Sequence, residues 1–238
     1  MINKNLIIEG PGENLLAISG NNSNRIFNIT TGTTANISKL KITNGRAING
    51  GGLFNAGTLT LTNIVITNNI VSAPSTFCTG GGLYNSGAVD LTNVVFAFNT
   101  AVGAGAAVST GNTQGATAIF KNVVFTGNQA SAIGGVANGG AVLHNGAQAS
   151  YINCTFSGNA AVNGGAMYNV NIATVLIKNC IFRGNTATTN PDISNTFNGG
   201  LVPTTITSLF GVDPLFVNAA DPDGPDNPDD GESNGGTG

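Results

Sequence analysis

The sequence predicts an all-β fold, a parallel β-helix (a β-solenoid) of about seven or eight coils, and three observations carry that prediction. The first is repetition. LTNIVITNN (61–69), LTNVVFAFN (91–99), FKNVVFTGN (120–128), YINCTFSGN (151–159) and IKNCIFRGN (177–185) share Asn at the third and ninth positions. The third-position residues Asn63, Asn93, Asn122, Asn153 and Asn179 recur every 26 to 31 residues. A unit of that length cannot bury its apolar face alone and has to stack on its neighbours. The second is composition: 35 glycines, abundant Asn and Thr, no Trp and only 8% charged residues. These residues are poor helix formers but suit short strands closed by tight turns, where Gly and Asn tolerate left-handed backbone angles. The third is a period-two apolar alternation, which separates this chain from disordered Gly-rich sequence.

Four strand-like segments open the chain, NLIIEG (5–10), LLAISG (15–20), RIFNI (25–29) and ANISKLKITNG (35–45), enough for about two incomplete coils. The coil pattern is clearest at 80–99, GGGLYNSGAVDLTNVVFAFN. There GGLYN is a strand entered through glycines, Ser86-Gly87 a turn, and VDLTN a second strand with Val89 and Leu91 inward. Asn93 makes a corner, VVF is a third strand, and Asn99 ends the coil. Stacking such coils gives an inner column Leu40, Ile64, Val94, Val123, Cys154, Cys180 and a second, Ile42, Ile66, Phe96, Phe125, Phe156, Phe182. The four phenylalanines are expected to form an aromatic ladder. Both asparagine sets, the third-position one and Asn69, Asn99, Asn128, Asn159 and Asn185, are expected to form buried amide ladders satisfied by backbone and by each other. Cys154 and Cys180 read as small buried hydrophobes rather than a disulfide, because parallel Cβ vectors in stacked strands suit the bond poorly. Insertions are expected at 70–79 (holding Cys78), 102–115 and 129–138. The helix fills 1–217, and 218–238 is an acidic Pro/Gly-rich tail or linker.

The net charge of −3 hides a split, since six of the eleven acids lie in the last twenty residues. The remainder, eight basic and five acidic residues, contains no basic cluster, which argues against nucleic acid as a partner. No apolar run approaches the roughly 20 residues of a membrane span. MINKNLIIEGPGENLL at the start lacks a secretory-leader pattern, so the chain is either not exported through its own leader or a segment of something longer.

No catalytic constellation stands out. The outward residues of the second strand run Thr60, Asp90, Ile119, Ser150, Leu176, beside Thr62, Thr92, Lys121, Ile152, Lys178. One acid among lysines reads as a surface ion pair, Asp90 with Lys121, not as an acid/base couple. His144, the single histidine, has no sequence-adjacent nucleophile or acid and reads as structural. The outward row of the third strand is apolar and β-branched, and Val65, Thr67, Val95, Val124, Thr126, Thr155 and Ile181 form a candidate contact face. In the tail, Asp221, Asp223, Asp226, Asp229 and Asp230 are candidate Ca²⁺ ligands, set against a plain linker reading.

GGGL at 50–53 and 80–83, GGAV at 139–142 and GGAM at 164–167 interleave with Phe-x-x-Asn at Phe96/Asn99, Phe125/Asn128, Phe156/Asn159 and Phe182/Asn185. This alternation, over roughly 38–190, resembles the repeats of chlamydial polymorphic outer-membrane proteins. It is equally similar to bacterial secreted right-handed parallel β-helix proteins of pectate-lyase-like architecture. DPLFVNAADPDGPDN (213–227) is similar to the segment that follows the helix in such secreted proteins. The resemblance implies a right-handed coil, a secreted or cell-surface location, and an adhesive, structural or carbohydrate-contacting role, with copies of itself or surface glycans and proteins as partners. The expected function is therefore a non-enzymatic adhesion or structural module, open to end-to-end assembly. The alternatives are a polysaccharide-binding or degenerate lyase-like helix and an ice-binding face.

Overall fold

A computed structural model describes residues 1–72, 78–111, 115–132, 134–171, 173–196, 204–206 and 208–210. Among them there is no helix; every ladder is parallel, and the strands stack into a β-solenoid of about six turns. Fewer turns close than the seven or eight read from the repeats, because both ends contribute partial rungs. At the N-terminus Leu6–Glu9 and Ala17–Ser19 pair with the next long strand, and at the other end Thr204–Ile206 and Leu209–Phe210 close the same face.

Each complete turn has three sides. A short strand such as Leu83–Asn85 leads, through a tight turn, into a long one such as Ala88–Ala97. A third strand follows, as in Arg46–Ala47, Ile70–Val71, Thr100–Ala104 and Gln129–Ser131. Two expectations change here. The VVF segment is the second half of the long strand, bent at Asn93, and the true third side lies beyond Asn99. Likewise, much of what reads as insertion is coil: Cys78–Thr79 is a strand, and Val108–Thr110 takes the short-strand place, with Gly105-Ala-Ala standing where other turns have Gly-Gly-Gly or Gly-Gly-Ala. The sequence hides these strands because runs of Ala, Gly and Thr carry no alternation signal. Cys78 packs with Val71, Ala101 and Ala106 in a small satellite core.

The bend inside the long strand explains the third-position asparagines. Asn63, Asn93, Asn122, Asn153 and Asn179 have φ of 52° to 55°, a left-handed conformation that costs most residues about 1–2 kcal/mol. Their amides form a chain, each Nδ2 donating to the preceding Oδ1: Asn93 to Asn63 (3.0 Å), Asn122 to Asn93 (3.1 Å), Asn153 to Asn122 (3.4 Å) and Asn179 to Asn153 (3.3 Å). This ladder is not buried as expected. Asn63 is half-buried and the other four are exposed, because the left-handed residue breaks the in/out alternation and turns its side chain outward.

The ninth-position set is the buried ladder, and it runs the opposite way. Asn69 Nδ2 donates to Asn99 Oδ1 (3.0 Å), Asn99 to Asn128 (3.0 Å), Asn128 to Asn159 (2.9 Å) and Asn159 to Asn185 (2.9 Å). Each receiving oxygen also accepts the backbone N–H of the donor residue, so every amide serves two turns.

The core contains the two predicted columns together with further columns on the first half of the long strands and on the short strands, the latter Leu53, Leu83, Val108, Val142 and Met167. Phe96, Phe125, Phe156 and Phe182 stack in register, with centroids 5.3, 4.6 and 4.5 Å apart, and Phe210 adds a fifth ring at 4.6 Å. Phe120 and Tyr151 stack at 4.4 Å on the first half of the long strands and meet this ladder edge-on. Cys154 and Cys180 are buried and form no disulfide; the hydrogen bond to Cys180, with burial, pushes the Cys154 thiol up. The glycine motifs mark close approach. A Cβ on Gly81 would lie 2.5 Å from the carbonyl oxygens of Ala106 and Thr100. Phe156→Ala, removing a ring sandwiched on both faces, is expected to cost about 3–5 kcal/mol in urea unfolding.

Candidate functional site

The residues of the expected contact face lie in two straight outward rows. Val65, Val95, Val124, Thr155 and Ile181 follow one another in register, beside Thr67, Ala97, Thr126, Ser157 and Arg183. All are half-buried except buried Ala97 and exposed Arg183. The exposed amide ladder borders one edge. At the N-terminal end the first row runs into a groove of about 420 Å³ lined by Gly12, Glu13, Lys39, Asn63, Val65, Asn93 and Val95. Lys39 continues the Asn corner column and bonds Glu9 at 2.7 Å, which lowers the carboxyl and raises the amine.

Phe98 stands on the other edge. Its column of left-handed corner residues reads Asn44, Asn68, Phe98, Gly127, Gly158 and Gly184, so Phe98 is the one bulky member, at φ 54° and 60% exposed. Its ring lies over Gly127, where a Cβ would come within 2.6 Å of it. Sequence reading missed it because FAFN looks like another Phe-x-x-Asn repeat; the signal was a bulky residue where the other repeats carry Asn or Gly.

A second feature lies on the short-strand side, whose outer column runs Phe54, Tyr84, Ser109, Leu143, Tyr168, with Ser109 and Leu143 buried. Phe54 and Tyr84 stack at 5.2 Å with 15° between planes, and the Arg25 guanidinium lies 5.0 Å over Phe54. Arg25 is fixed by Nε donating to Gly50 O (3.0 Å) and Nη2 to Asn49 O (2.7 Å). Beside Tyr84 is a groove of about 250 Å³ lined by Asn49, Thr79, Ser109, Thr110, Gly111, Leu143 and Asn145.

Asp90 and Lys121 pair at 3.3 Å with both side chains over 40% exposed, a solvent-screened contact. His144 is fully buried between Thr110 and Tyr151. Among the described residues no group of three or more His, Cys, Asp or Glu could hold a metal ion, and no helix is long and apolar enough to cross a membrane. The candidate calcium ligands Asp221, Asp223, Asp226, Asp229 and Asp230 lie outside the described residues.

Fold and surface together define the class: an all-β repeat protein, a parallel β-solenoid, with side-chain rows displayed along its sides. No protein-family model, curated protein or solved structure matches the chain.

Proposed function

We propose that this chain is a non-enzymatic adhesion or structural module of a secreted or cell-surface β-solenoid, working through the flat Val/Thr side of its coil. Phe98 carries this reading. A bulky residue in a left-handed corner is strained, and its solvent-facing ring adds nothing to the core. Exposed aromatics beside a flat, half-apolar face are the usual anchors of a binding surface. With the chain displayed on beads, adhesion to cells or matrix is expected to fall about ten-fold in Phe98→Asn, the loss of one aromatic anchor. The same substitution relieves the corner and raises thermal stability. Undiminished adhesion by the variant would sink the use of this face, and turnover of any uronic-acid polymer by the wild-type chain would sink the non-enzymatic reading.

A second reading, polysaccharide binding, is favoured by the outward Phe54–Tyr84 stack beside its groove.

A further inference from the structure

We propose that the Val/Thr side meets the same side of a second copy of this chain, paired about a two-fold axis that runs along the solenoid. The proposal rests on that side being the working surface and names its partner. Phe98 stands at one edge of the face, and the 420 Å³ groove opens at the other, against Asn63, Val65, Asn93 and Val95. Asn93, Val95 and Phe98 belong to one rung, on and just beyond the strand Ala88–Ala97. A two-fold axis parallel to the solenoid and midway between the edges exchanges those edges and keeps the height. It carries Phe98 of each copy about 16 Å across the face, to the grooved edge of the other. The ring leans over Gly127 of the next rung, so it meets the upper end of the groove, at Asn93 and Val95.

The two rows agree with the two edges. The same axis lies between the row Val65, Val95, Val124, Thr155 and the row Thr67, Ala97, Thr126, Ser157, and exchanges them. Val65 then faces the partner's Thr67, Val95 the partner's Ala97, Val124 the partner's Thr126, and Thr155 the partner's Ser157. Each contact sets a larger side chain on a smaller one, the alternation by which facing layers interdigitate. An axis turned across the strands would instead set valine on valine. Rung spacing matches of itself, since both copies repeat at about 4.8 Å. These eight residues carry no charge, so a charged partner finds no counter-charge here, whereas a second copy matches. A glycan would cover the valines with hydroxyl groups, and the amides along the edge already bond one another.

Five rungs by about 16 Å of strand bury roughly 400 Å² per partner, half of the ~800 Å² of a standard interface. Lys41 and Arg183, at the two ends of the rows, come near their own copies across the axis. Small area and like charges make a weak dimer, with a Kd of roughly 50–500 μM. Added salt screens those charges and is expected to tighten it.

Sedimentation equilibrium of the full chain from ~10 μM to ~1 mM, a range that brackets this Kd, is expected to show monomer and dimer in exchange. Phe98→Asn is expected to weaken the dimer about ten-fold. Because that substitution relieves a strained corner, misfolding does not account for the loss. Val124→Lys and Thr126→Glu, both at half-buried outward positions, are each expected to abolish pairing alone while the thermal midpoint stays that of the parent. Mixed together they are expected to pair again, because the axis sets residue 124 of one copy on residue 126 of the other. In ¹H–¹⁵N spectra, the amides that move with concentration are expected to include Asn93, Val95, Phe98 and Val124. A chain that stays monomeric at ~1 mM, above the expected Kd, overturns the proposal. So does a dimer that Phe98→Asn leaves intact, a mixture of the two charge variants that stays monomeric, or concentration-dependent shifts confined to the ends of the solenoid. Adhesion separates the two levels. Adhesion to cells or matrix that falls in Phe98→Asn, in a chain that is monomeric throughout, keeps the Val/Thr side as the working surface and removes the second copy as its partner.

Discussion

Asn128→Ala is expected to be the most damaging single substitution in the solenoid, at about 4–6 kcal/mol, with two or more buried groups left unpaired at 1–3 kcal/mol each. Asn128 Oδ1 accepts both the Asn99 N–H (3.1 Å) and Asn99 Nδ2 (3.0 Å), while Asn128 Nδ2 donates to Phe96 O (3.0 Å) and Asn159 Oδ1 (2.9 Å). Alanine orphans the Asn99 backbone N–H, half of the Asn99 amide and a carbonyl, all away from water. Asn122 is the control, one repeat position away in type but on the outside. Asn122→Ala loses two solvent-exposed bonds and a left-handed preference, about 1–2 kcal/mol, and Asn122→Gly, which keeps the backbone conformation, is expected to be close to neutral. Urea unfolding of the three variants decides it. Similar costs for Asn128→Ala and Asn122→Ala would refute the division into a buried and an exposed ladder.

That division also marks how far the sequence could be read. Repeat length, apolar alternation and the Phe and Asn columns were legible because stacking in register puts like residues on like residues, and Leu40 through Cys180 and Ile42 through Phe182 do line up inside. What period-two reasoning could not see is the effect of a left-handed residue. One such residue in mid-strand shifts the phase of the alternation by one, so Thr62 and Asn63 both face outward and an expected core amide becomes a surface one. The third side of the coil escaped because strands of two to five residues, such as Ile70–Val71, are too short to show a period. Phe210 was missed because it stands outside any Asn repeat, and it joins the ladder only through the register of Leu209–Phe210.

The candidate site was less legible, for a different reason. The contact face followed from alternation, since outward positions are the complement of inward ones. Phe98, Arg25 and the Phe54–Tyr84 stack did not, because their meaning lies in what stands on the adjacent rung: Gly127 under Phe98, Ser109 beyond Tyr84. Adjacent-rung neighbours are about thirty residues apart in the chain, and they become readable only when the register of the intervening loops is fixed.

His144 predicts the second large effect, a loss of stability in mild acid. The inward column of the short strands reads Asn55, Asn85, Thr110, His144, Asn169, Asn195, an amide ladder interrupted in the middle. Thr110 Oγ1 donates to Leu143 O (3.3 Å), so its contact with His144 Nδ1 (3.0 Å) makes Nδ1 the donor; Nε2 then accepts from the Tyr151 hydroxyl at 2.7 Å. Both ring nitrogens are thereby committed in a neutral ring, and none is left to donate to Asn169 Oδ1, a buried atom without a partner among the described residues. Protonation has to charge a ring inside the core and reverse the Tyr151 bond. Burial accordingly lowers the His144 pKa to about 3 and raises that of Tyr151 well above its ordinary value. Because the unfolded value is about 6.5, the unfolded chain binds more protons between the two values, and stability falls as pH falls. The contribution is complete above pH ~6.5 and drains at up to about 1.4 kcal/mol per unit toward pH ~3, so that ~2–3 kcal/mol is gone by pH ~4.5. His144→Asn with Tyr151→Phe removes the titrating ring, offers Asn169 a donor, and keeps a ring stacked on Phe120. Its thermal midpoint is expected to vary much less between pH 7 and 4.5 than that of the wild type. Carboxylates such as Glu9, whose pairing with Lys39 also weakens in acid, are common to both chains and cancel in the comparison. Parallel pH profiles for the two proteins would mean that His144 is not the group the fold must keep uncharged.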